Sequence, residues 1–229
     1  MIPRIIHQTY STDNVPFICQ GYVKKLKAFH PKWEYYFYDD KACLEIIKKK
    51  IPKLLSLYQQ LSLPVQRSDL FRLIIIYLKG GFYLDIDIDI SKPLDDLLKF
   101  QAVFSIERIL RTEEFCLLDH KDNEITSRYQ IANYQFAASP YHPFLEFLLN
   151  QLQSNRKILK CTNSENEVLQ QTGPYFITSQ YHRYVKNYSR DSIYLLNLGD
   201  RFCEICERRS CQFGNYAMHK HMGSWRWET

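Results

Sequence analysis

An α/β fold whose sheet is at least partly parallel is the architecture this sequence predicts. Three observations point there. The first 90 residues alternate short apolar strands with helical stretches. One helix-to-strand unit, residues 67–89 (RSDLFRLIIIYLKGGFYLDIDID), is apolar enough to be buried. Polar side chains gather at a strand end, where open α/β sheets collect their ligands.

Residues 4–9 form a short apolar strand that ends on His7, Gln8 and Thr9. Residues 16–30 read as an amphipathic helix, and residues 34–38 (EYYFY) as a second strand. Asp39 or Asp40 caps a helix over 40–50, whose terminal lysines suit its dipole. Pro52 begins a short helix, and Pro64 begins another that runs to Lys79. In that helix every residue from Leu70 to Leu78 except Arg72 is apolar or aromatic. A helix apolar on nearly all sides is buried, and a buried guanidinium is costly unless paired. Asp69, three residues earlier, lies on the same face and is its natural partner. The pair reads either as an ordinary intrahelical bridge on a partly exposed stripe or as two charges held at a polar pocket.

Gly80 and Gly81 supply the left-handed stop after the helix. A strand, FYLDIDIDI, then places Asp85, Asp87 and Asp89 on one face. Carboxylates at that spacing, roughly 6–7 Å, repel one another, and Asp is a poor strand former. Such a strand needs a cation nearby or must leave the sheet at its acidic end. Ser91-Lys92-Pro93 stops it, and residues 93–100 are briefly helical. A strand follows at 102–106, a mixed loop or hairpin insertion at 107–130, and a strand at 131–138 that ends at Ser139-Pro140. Further elements are a helix at 143–153, a polar linker at 160–166, a helix at 175–188 and a strand at 193–196. The tail, 213–229, is aromatic-rich and irregular. No repeat or interdomain linker interrupts the chain, so residues 1–229 read as a single domain.

At 229 residues, 45% of them hydrophobic, the chain can bury a large core. Its formal charge of +5 lies largely in lysine runs, Lys24, Lys25, Lys27 and Lys48, Lys49, Lys50, Lys53, which read as exposed helix faces. No basic-aromatic motif points to nucleic acid. The longest unbroken apolar run, Leu73–Leu78, is far too short to span a bilayer, and no targeting segment is visible. A soluble cytoplasmic protein is therefore expected, with a lumenal location open for a longer precursor. Seven cysteines, an odd and scattered number, fit a reducing compartment better than a disulfide framework. Cys203, Cys206 and Cys211 cluster, with His219 and His221 downstream. A zinc site of three Cys and one His fits this group, but the second half of the usual zinc spacing is missing, which favours free buried thiols.

The stretch RSDLFRLIIIYLKGGFYLDID resembles the signature of the glycosyltransferases that carry a DXD sugar-binding motif, family 32 of the carbohydrate enzymes. That family includes outer-chain mannosyltransferases and capsular sugar transferases, and is distantly related to the glucosyltransferase domains of clostridial toxins. The likeness extends, in order, to IPRIIHQTY, NYQFAASPYHPFLEFLL, QTGPYF and YAMHKHMGSW. It implies a GT-A fold, a Rossmann-like sandwich with a mixed central sheet, and a retaining hexosyl transfer. The donor would be a UDP- or GDP-sugar, and the acceptor a glycan, protein or other hydroxyl compound. It further implies a divalent metal, Mn²⁺ or Mg²⁺, for which carboxylates are suitable ligands.

Carried onto this chain, the resemblance assigns Asp85 and Asp87 to the DXD pair and, with His219, to the metal. Arg72 and Asp69 would contact the donor's phosphate and sugar, Arg72 sharing in catalysis with the two acids. His7, Gln8 and Thr9 would border the nucleotide, and Asn133 the donor sugar. Thr172 and Gly173 would line the acceptor side. Ser224 and Trp225 would fold over the diphosphate. Asp89 lies outside the family pattern and reads as a bystander, while His221 competes with His219 by spacing. Two other classes fit less well. An aspartyl-nucleophile phosphohydrolase carries its D-x-D on the first strand, and a calcium loop needs Gly and Glu where Ile90 and Asp96 stand. A non-catalytic module that binds sugar nucleotide keeps the same residues.

Overall fold

The computed structural model describes residues 1–110, 129–154, 165–188 and 192–222. The chain opens with β1 (Ile5–Thr9), α1 (Phe17–Phe29), β2 (Glu34–Tyr38) and α2 (Asp40–Lys50). Asp39 caps α2 by accepting the Ala42 N–H at 2.7 Å. A 3₁₀ turn and α3 (Leu55–Gln60) lead into α4 (Pro64–Lys79), which matches the predicted helix at both ends. Then come β3 (Gly81–Leu84), β4 (Ile88–Ile90) and β5 (Ala102–Ile109). After the undescribed stretch follow β6 (Tyr129–Ile131), β7 (Gln135–Ala138) and α5 (Pro143–Ser154). The rest is α6 (Glu165–Gln171), α7 (Pro174–Asn187), β8 (Ile193–Leu196), β9 (Gln212–Phe213) and β10 (Ala217–His219).

Seven of these strands form one sheet in the order β2-β1-β3-β7-β5-β6, with β8 on β5. β1 runs parallel to β2 and β3, and β8 parallel to β5, whereas β7 is antiparallel to both β3 and β5. The sheet is therefore mixed, as expected. Alternation sorts its side chains between two cores. Tyr83, Phe104 and Phe136 face one core, built with α4, α5 and α7. Phe82, Leu84 and Val103 face the other, built with Leu26 of α1 and with β4, β9 and β10. Those last three strands make a small second sheet, β4-β10-β9, which pairs the tail read from sequence as irregular with β4.

Three further expectations change. First, the acids do not share one strand face. The chain leaves the large sheet after Leu84 and turns through Asp85-Ile86-Asp87, with the Ile88 N–H bonded to the Asp85 carbonyl at 3.1 Å. It re-enters as β4 in the other sheet. Carboxylate repulsion and the poor strand propensity of Asp make this break cheap. Second, the strand predicted over 131–138 is two strands, interrupted at Ala132-Asn133-Tyr134. Third, β5 runs on to Ile109 rather than stopping at Ile106. Most of the insertion expected at 107–130, most of the 160–166 linker and the end of the tail lie outside the described residues.

The junction between α4 and β3 is tight. Gly80 has φ 67° and ψ −168°, so its φ is positive but its ψ is extended rather than helical. Gly81, at φ 96°, lies so close to β1 that a Cβ there would stand 2.5 Å from the Ile5 carbonyl oxygen. His7 of β1 fastens this junction from below. Its Nε2–H donates to the Gly80 carbonyl at 3.0 Å, so Nδ1 is the acceptor for the Tyr38 hydroxyl at 2.9 Å. Burial, aided by Lys79 and only partly offset by the Gly80 bond, lowers the His7 pKa to about 3.

That depression gives stability a pH limb. Between about pH 6.5 and 3 the unfolded chain binds the His7 proton and the folded chain does not, so stability is complete above 6.5 and is lost as pH falls. For a single group shifted this far, lowering pH from 7 to 5 costs about 2 kcal/mol. His30 and His142, also lowered by burial, add to the limb. Urea unfolding of the protein and of His7→Gln at both pH values isolates the His7 share: the variant should lose about 2 kcal/mol less on acidification. An equal loss in both would show that His7 does not carry it.

Candidate active site

A cavity of about 700 Å³ opens where β1 and β3 end. Thr9, Ser68, Asp69, Arg72, Asp85, Asp87, Asn133 and His219 all line it. Each reaches it for a structural reason. Asp69 and Arg72 stand one turn apart on α4 and are almost fully buried. Asp85 and Asp87 stand in the turn that leaves the sheet. Asn133 stands in the break between β6 and β7, and that break meets the acidic turn directly: the Asp85 N–H donates to the Tyr134 carbonyl at 3.0 Å.

Arg72 is the hub. Its Nη1 lies 3.0 Å from Asp69 Oδ1 and donates to the Asn133 carbonyl at 3.2 Å, while Nη2 lies 3.4 Å from Asp85 Oδ1. The guanidinium carbon sits over the Tyr83 ring, 4.9 Å from its centre. Burial opposes its charge, but Asp85, Tyr83 and Asp69 outweigh that and raise its pKa. Its Nε is buried with no hydrogen-bond partner. Asp69 accepts from Asn133 Nδ2 at 2.9 Å and from the Thr172 hydroxyl at 2.7 Å. Burial, only partly opposed by Arg72 and these donors, lifts its pKa to about 6. The buried-pocket alternative for the Asp69–Arg72 pair is therefore the one realised.

The two motif acids differ. Asp85 accepts from the Tyr83 hydroxyl at 2.8 Å, and that hydroxyl also meets Thr9 Oγ1 at 2.8 Å. Burial raises the Asp85 pKa, with Arg72 opposing and Asp87 adding to the rise. Asp87 is buried too, yet His219 and the Met222 N–H hold its pKa below the ordinary carboxylate range. His219 Nε2 lies 3.2 Å from Asp87 Oδ1, and Met222 N–H donates to Oδ2 at 2.8 Å. Burial disfavours a charged His219, but Asp87 outweighs it and raises the imidazole pKa. The ring stacks on Tyr134 with centroids 4.2 Å apart, and its Nδ1 is buried without a partner. Donor atoms of Asp85, Asp87 and His219 lie within 4.8 Å of one another.

Several expected residues act from behind the cavity wall. His7 is fully buried at the α4–β3 junction and does not reach the cavity. Gln8 is buried as well: its Nε2 donates to the Asp85 carbonyl at 3.1 Å while its Oε1 accepts from Tyr35. Thr172 touches Asp69 rather than open space, whereas Gly173 lines the cavity. Asp89 points away, paired with Lys25 at 2.6 Å and Lys220 at 3.8 Å. His221 turns its Nε2 to Cys206 and Cys211, although its ring stays against that of His219, with centroids 4.5 Å apart. Ser224 and Trp225 lie outside the described residues. Sequence reasoning missed Tyr83, Glu107 and Arg108. Glu107 lines the cavity, accepts a hydrogen bond from Gln130, and has a pKa raised by burial. An acid in register with buried Val103 and Ser105 on one strand was its signal.

Residues 16–104 match a family described as a glycosyltransferase sugar-binding region containing a DXD motif. Over that stretch the chain resembles the DXD-containing glycosyltransferases. It is 29% identical over 184 residues to mannosyl phosphorylinositol ceramide synthase of Saccharomyces cerevisiae, covering 80% of this chain and 43% of that protein. It is 37% identical over 101 residues to inositol phosphoceramide mannosyltransferase 3 of Schizosaccharomyces pombe, covering 44% and 28%. The chain thus spans less than half the length of these relatives. Among solved structures it is similar to the PaToxG glycosyltransferase, with a TM-score of 0.56 at 19% identity over 80% of this chain and 69% of that one. That likeness concerns the fold, which is GT-A. Among the described residues, no helix is long and apolar enough to cross a membrane.

The Arg72 network sets a stability prediction. Removing one partner of a buried ion pair costs about 3–5 kcal/mol, because the other charge stays buried. Asp69→Ala should fall in that range by urea unfolding, and Thr172→Val should cost about 1–2 kcal/mol by removing one hydrogen bond to a charge. A loss under about 1 kcal/mol for Asp69→Ala would mean that Asp85 alone satisfies Arg72.

Proposed function

We propose that residues 1–229 act as one catalytic domain that transfers a hexose from a nucleoside diphosphate sugar to a hydroxyl acceptor, with retention of anomeric configuration. The observation that carries this reading is the convergence of Asp85, Asp87 and His219 beside Arg72 in a cavity large enough for a sugar nucleotide. The relatives are named for mannosyl transfer to inositol phosphoceramide. Mannose from a GDP-sugar is therefore the first donor to test, and a lipid-linked inositol phosphate the first acceptor.

Two carboxylates and an imidazole suit Mn²⁺ or Mg²⁺. The partnerless Nδ1 of His219 and Nε of Arg72 are the kind of buried polar atoms that a bound ion and diphosphate would satisfy. A divalent cation held by Asp85, Asp87 and His219 would supply positive charge at the leaving diphosphate. Arg72 adds a fixed cation whose position is already secured by Asp69, Asp85 and the Asn133 carbonyl, so little reorganisation accompanies charge development. Thr9 and Ser68 line the cavity at the β1 end. Asn133 and Gly173 shape the wall beside Asp69, where the donor sugar would lie. No side chain of the cavity is assigned as a nucleophile. Attack from the leaving-group face, with a phosphate oxygen taking the acceptor's proton, suits such a site.

Thermal-shift assays with Mn²⁺ and a series of UDP- and GDP-sugars test this reading. The protein should be stabilised by cation and donor together, and a chelator should abolish the effect. Asp87→Asn should keep the unliganded transition but lose the metal-dependent shift, with turnover down by about 10²–10³-fold. Full turnover in Asp87→Asn, or no metal-dependent response to any donor, would overturn it.

A pH effect follows from His219. Asp87 raises its pKa, so a cation must displace its proton. Mn²⁺ affinity should therefore weaken as pH falls from 7.5 to 6, by up to about tenfold per unit for one displaced proton. Calorimetric titration in buffers of different ionisation enthalpy should register proton release. Affinity independent of pH would remove His219 from the ligand set.

A further inference from the structure

The tail holds a second group of ligating side chains that the transfer reaction does not use. Cys203, Cys206, Cys211 and His221 offer three thiols and one imidazole, with all donor atoms within 4.8 Å of one another. Cys206 Sγ lies 3.5 Å from Cys211 Sγ and 3.5 Å from His221 Nε2. His221 Nε2 lies 2.9 Å from Cys211 Sγ, as close as an N–H···O bond although sulfur is the larger atom. Around a tetrahedral zinc with its usual bond lengths, sulfur–sulfur and sulfur–nitrogen separations are about 3.6–3.8 Å. Two of the three measured separations are within about 0.3 Å of those values, and Cys203 Sγ lies within 4.8 Å of the other three donors. A disulfide needs sulfurs about 2.05 Å apart and would leave one thiol and the imidazole over.

The local fold supports the same conclusion. Cys203 and Cys206 sit in a tight knuckle closed by the Cys203 N–H bonded to the Arg208 carbonyl at 2.9 Å. Four non-glycine residues of the described chain have positive φ, and three of them, Glu207, Cys211 and His221, lie in this segment. Each left-handed residue costs roughly 1–2 kcal/mol. The apolar cluster beneath them is only Cys203, Cys211 and Met218, with Cys206 packed against it. So small a core does not by itself hold three strained residues, two of which are the candidate ligands.

We infer that Cys203, Cys206, Cys211 and His221 form a structural zinc site that clamps the C-terminal hairpin over the DXD turn. Three sulfurs and one nitrogen select zinc over the hard cations that suit Asp85 and Asp87. Four protein ligands complete the coordination, which leaves no open position for chemistry. The clamp acts through the backbone. Cys211 N–H donates to the Glu107 carbonyl at 3.1 Å, and the Cys211 carbonyl accepts from His219 N–H at 2.8 Å. On the far side of His221, Met222 N–H holds Asp87. An ion tying Cys211 to His221 thus fixes both ends of the segment that presents His219. This site shares no ligand with the acidic cluster, although Cys206, Cys211 and His221 line the same cavity.

Metal analysis of the whole chain, purified under reducing conditions and supplied with zinc alone, tests the inference. One zinc per chain is expected, equally in the protein and in Asp87→Asn, with a zinc-edge absorption spectrum of three sulfurs and one nitrogen. Cobalt substitution should give the visible bands of a tetrahedral thiolate site. Cys206→Ser and His221→Ala should each reduce zinc retention after dialysis at least tenfold; if either fails to fold, the spectrum of the unaltered chain decides alone. Zinc lost in Asp87→Asn and kept in Cys206→Ser would move the ion to the acidic site and overturn the inference. So would a zinc-free folded protein whose tail thiols are all freely alkylated, or a Cys206–Cys211 disulfide under the same conditions.

Discussion

A guanidinium buried in the middle of an apolar helix is the constraint on which the rest of the site depends. Leu70, Phe71, Leu73 and Ile74 surround Arg72 in α4 with almost no exposure. Its charge is tolerable only if carboxylates and carbonyls are brought to it. Asp69 comes from the same helix. Asp85 comes from the end of β3, and the Asn133 carbonyl from the gap between β6 and β7. Neither a continuous acidic strand nor a continuous 131–138 strand would bring both groups to one cation. The two breaks stand next to each other, joined by the Asp85–Tyr134 backbone bond, and both serve Arg72.

The same reasoning separates the three acids that looked equivalent. Asp85 belongs to Arg72 and Tyr83. Asp87 belongs to His219 and the tail backbone. Asp89, two residues on, has joined the other sheet and meets lysines at the surface. Each additional residue of the motif hands its side chain to a different structural layer. The DXD spacing is thus a consequence of a turn between two sheets, in which the first and third residues face one cavity.

Much of this was legible in the sequence because it depended on local pattern. The ends of α4, the strand EYYFY and the glycine stop follow from periodicity, capping and chain stiffness, which act over a few residues. The Asp69–Arg72 pair was legible as a violation of pattern. What was not legible depended on contacts far apart in the chain. His7 and Gln8 sit at the end of a strand, as ligand-binding residues do. Only the packing of Tyr38, Gly80 and Tyr35 against them shows that they brace the site from behind. His219 and His221 differ by two residues, and their separate fates are decided by strand pairing: His219 opposes Ile88 in the small sheet, whereas His221 lies beyond it. A sheet of strands two or three residues long leaves almost no periodic signal, so the tail read as irregular.

Charge balance links the pieces of the proposed mechanism. Five carboxylates, Asp40, Asp69, Asp85, Asp87 and Glu107, stand around one cavity with three guanidinium groups, Arg72, Arg108 and Arg208, and with His219 and His221. On the transfer reading the incoming donor is a dianionic diphosphate, which such a wall repels at short range. A cation at Asp85 and Asp87 reverses the sign of that interaction. Metal and donor should then bind with positive coupling, each raising the affinity of the other by the same factor. On that reading the positive charge that offsets the excess of carboxylates arrives with the substrate. On the same reading, the energetic cost of gathering these acids around Arg72 and His219 would become selectivity for a donor that arrives with a divalent ion.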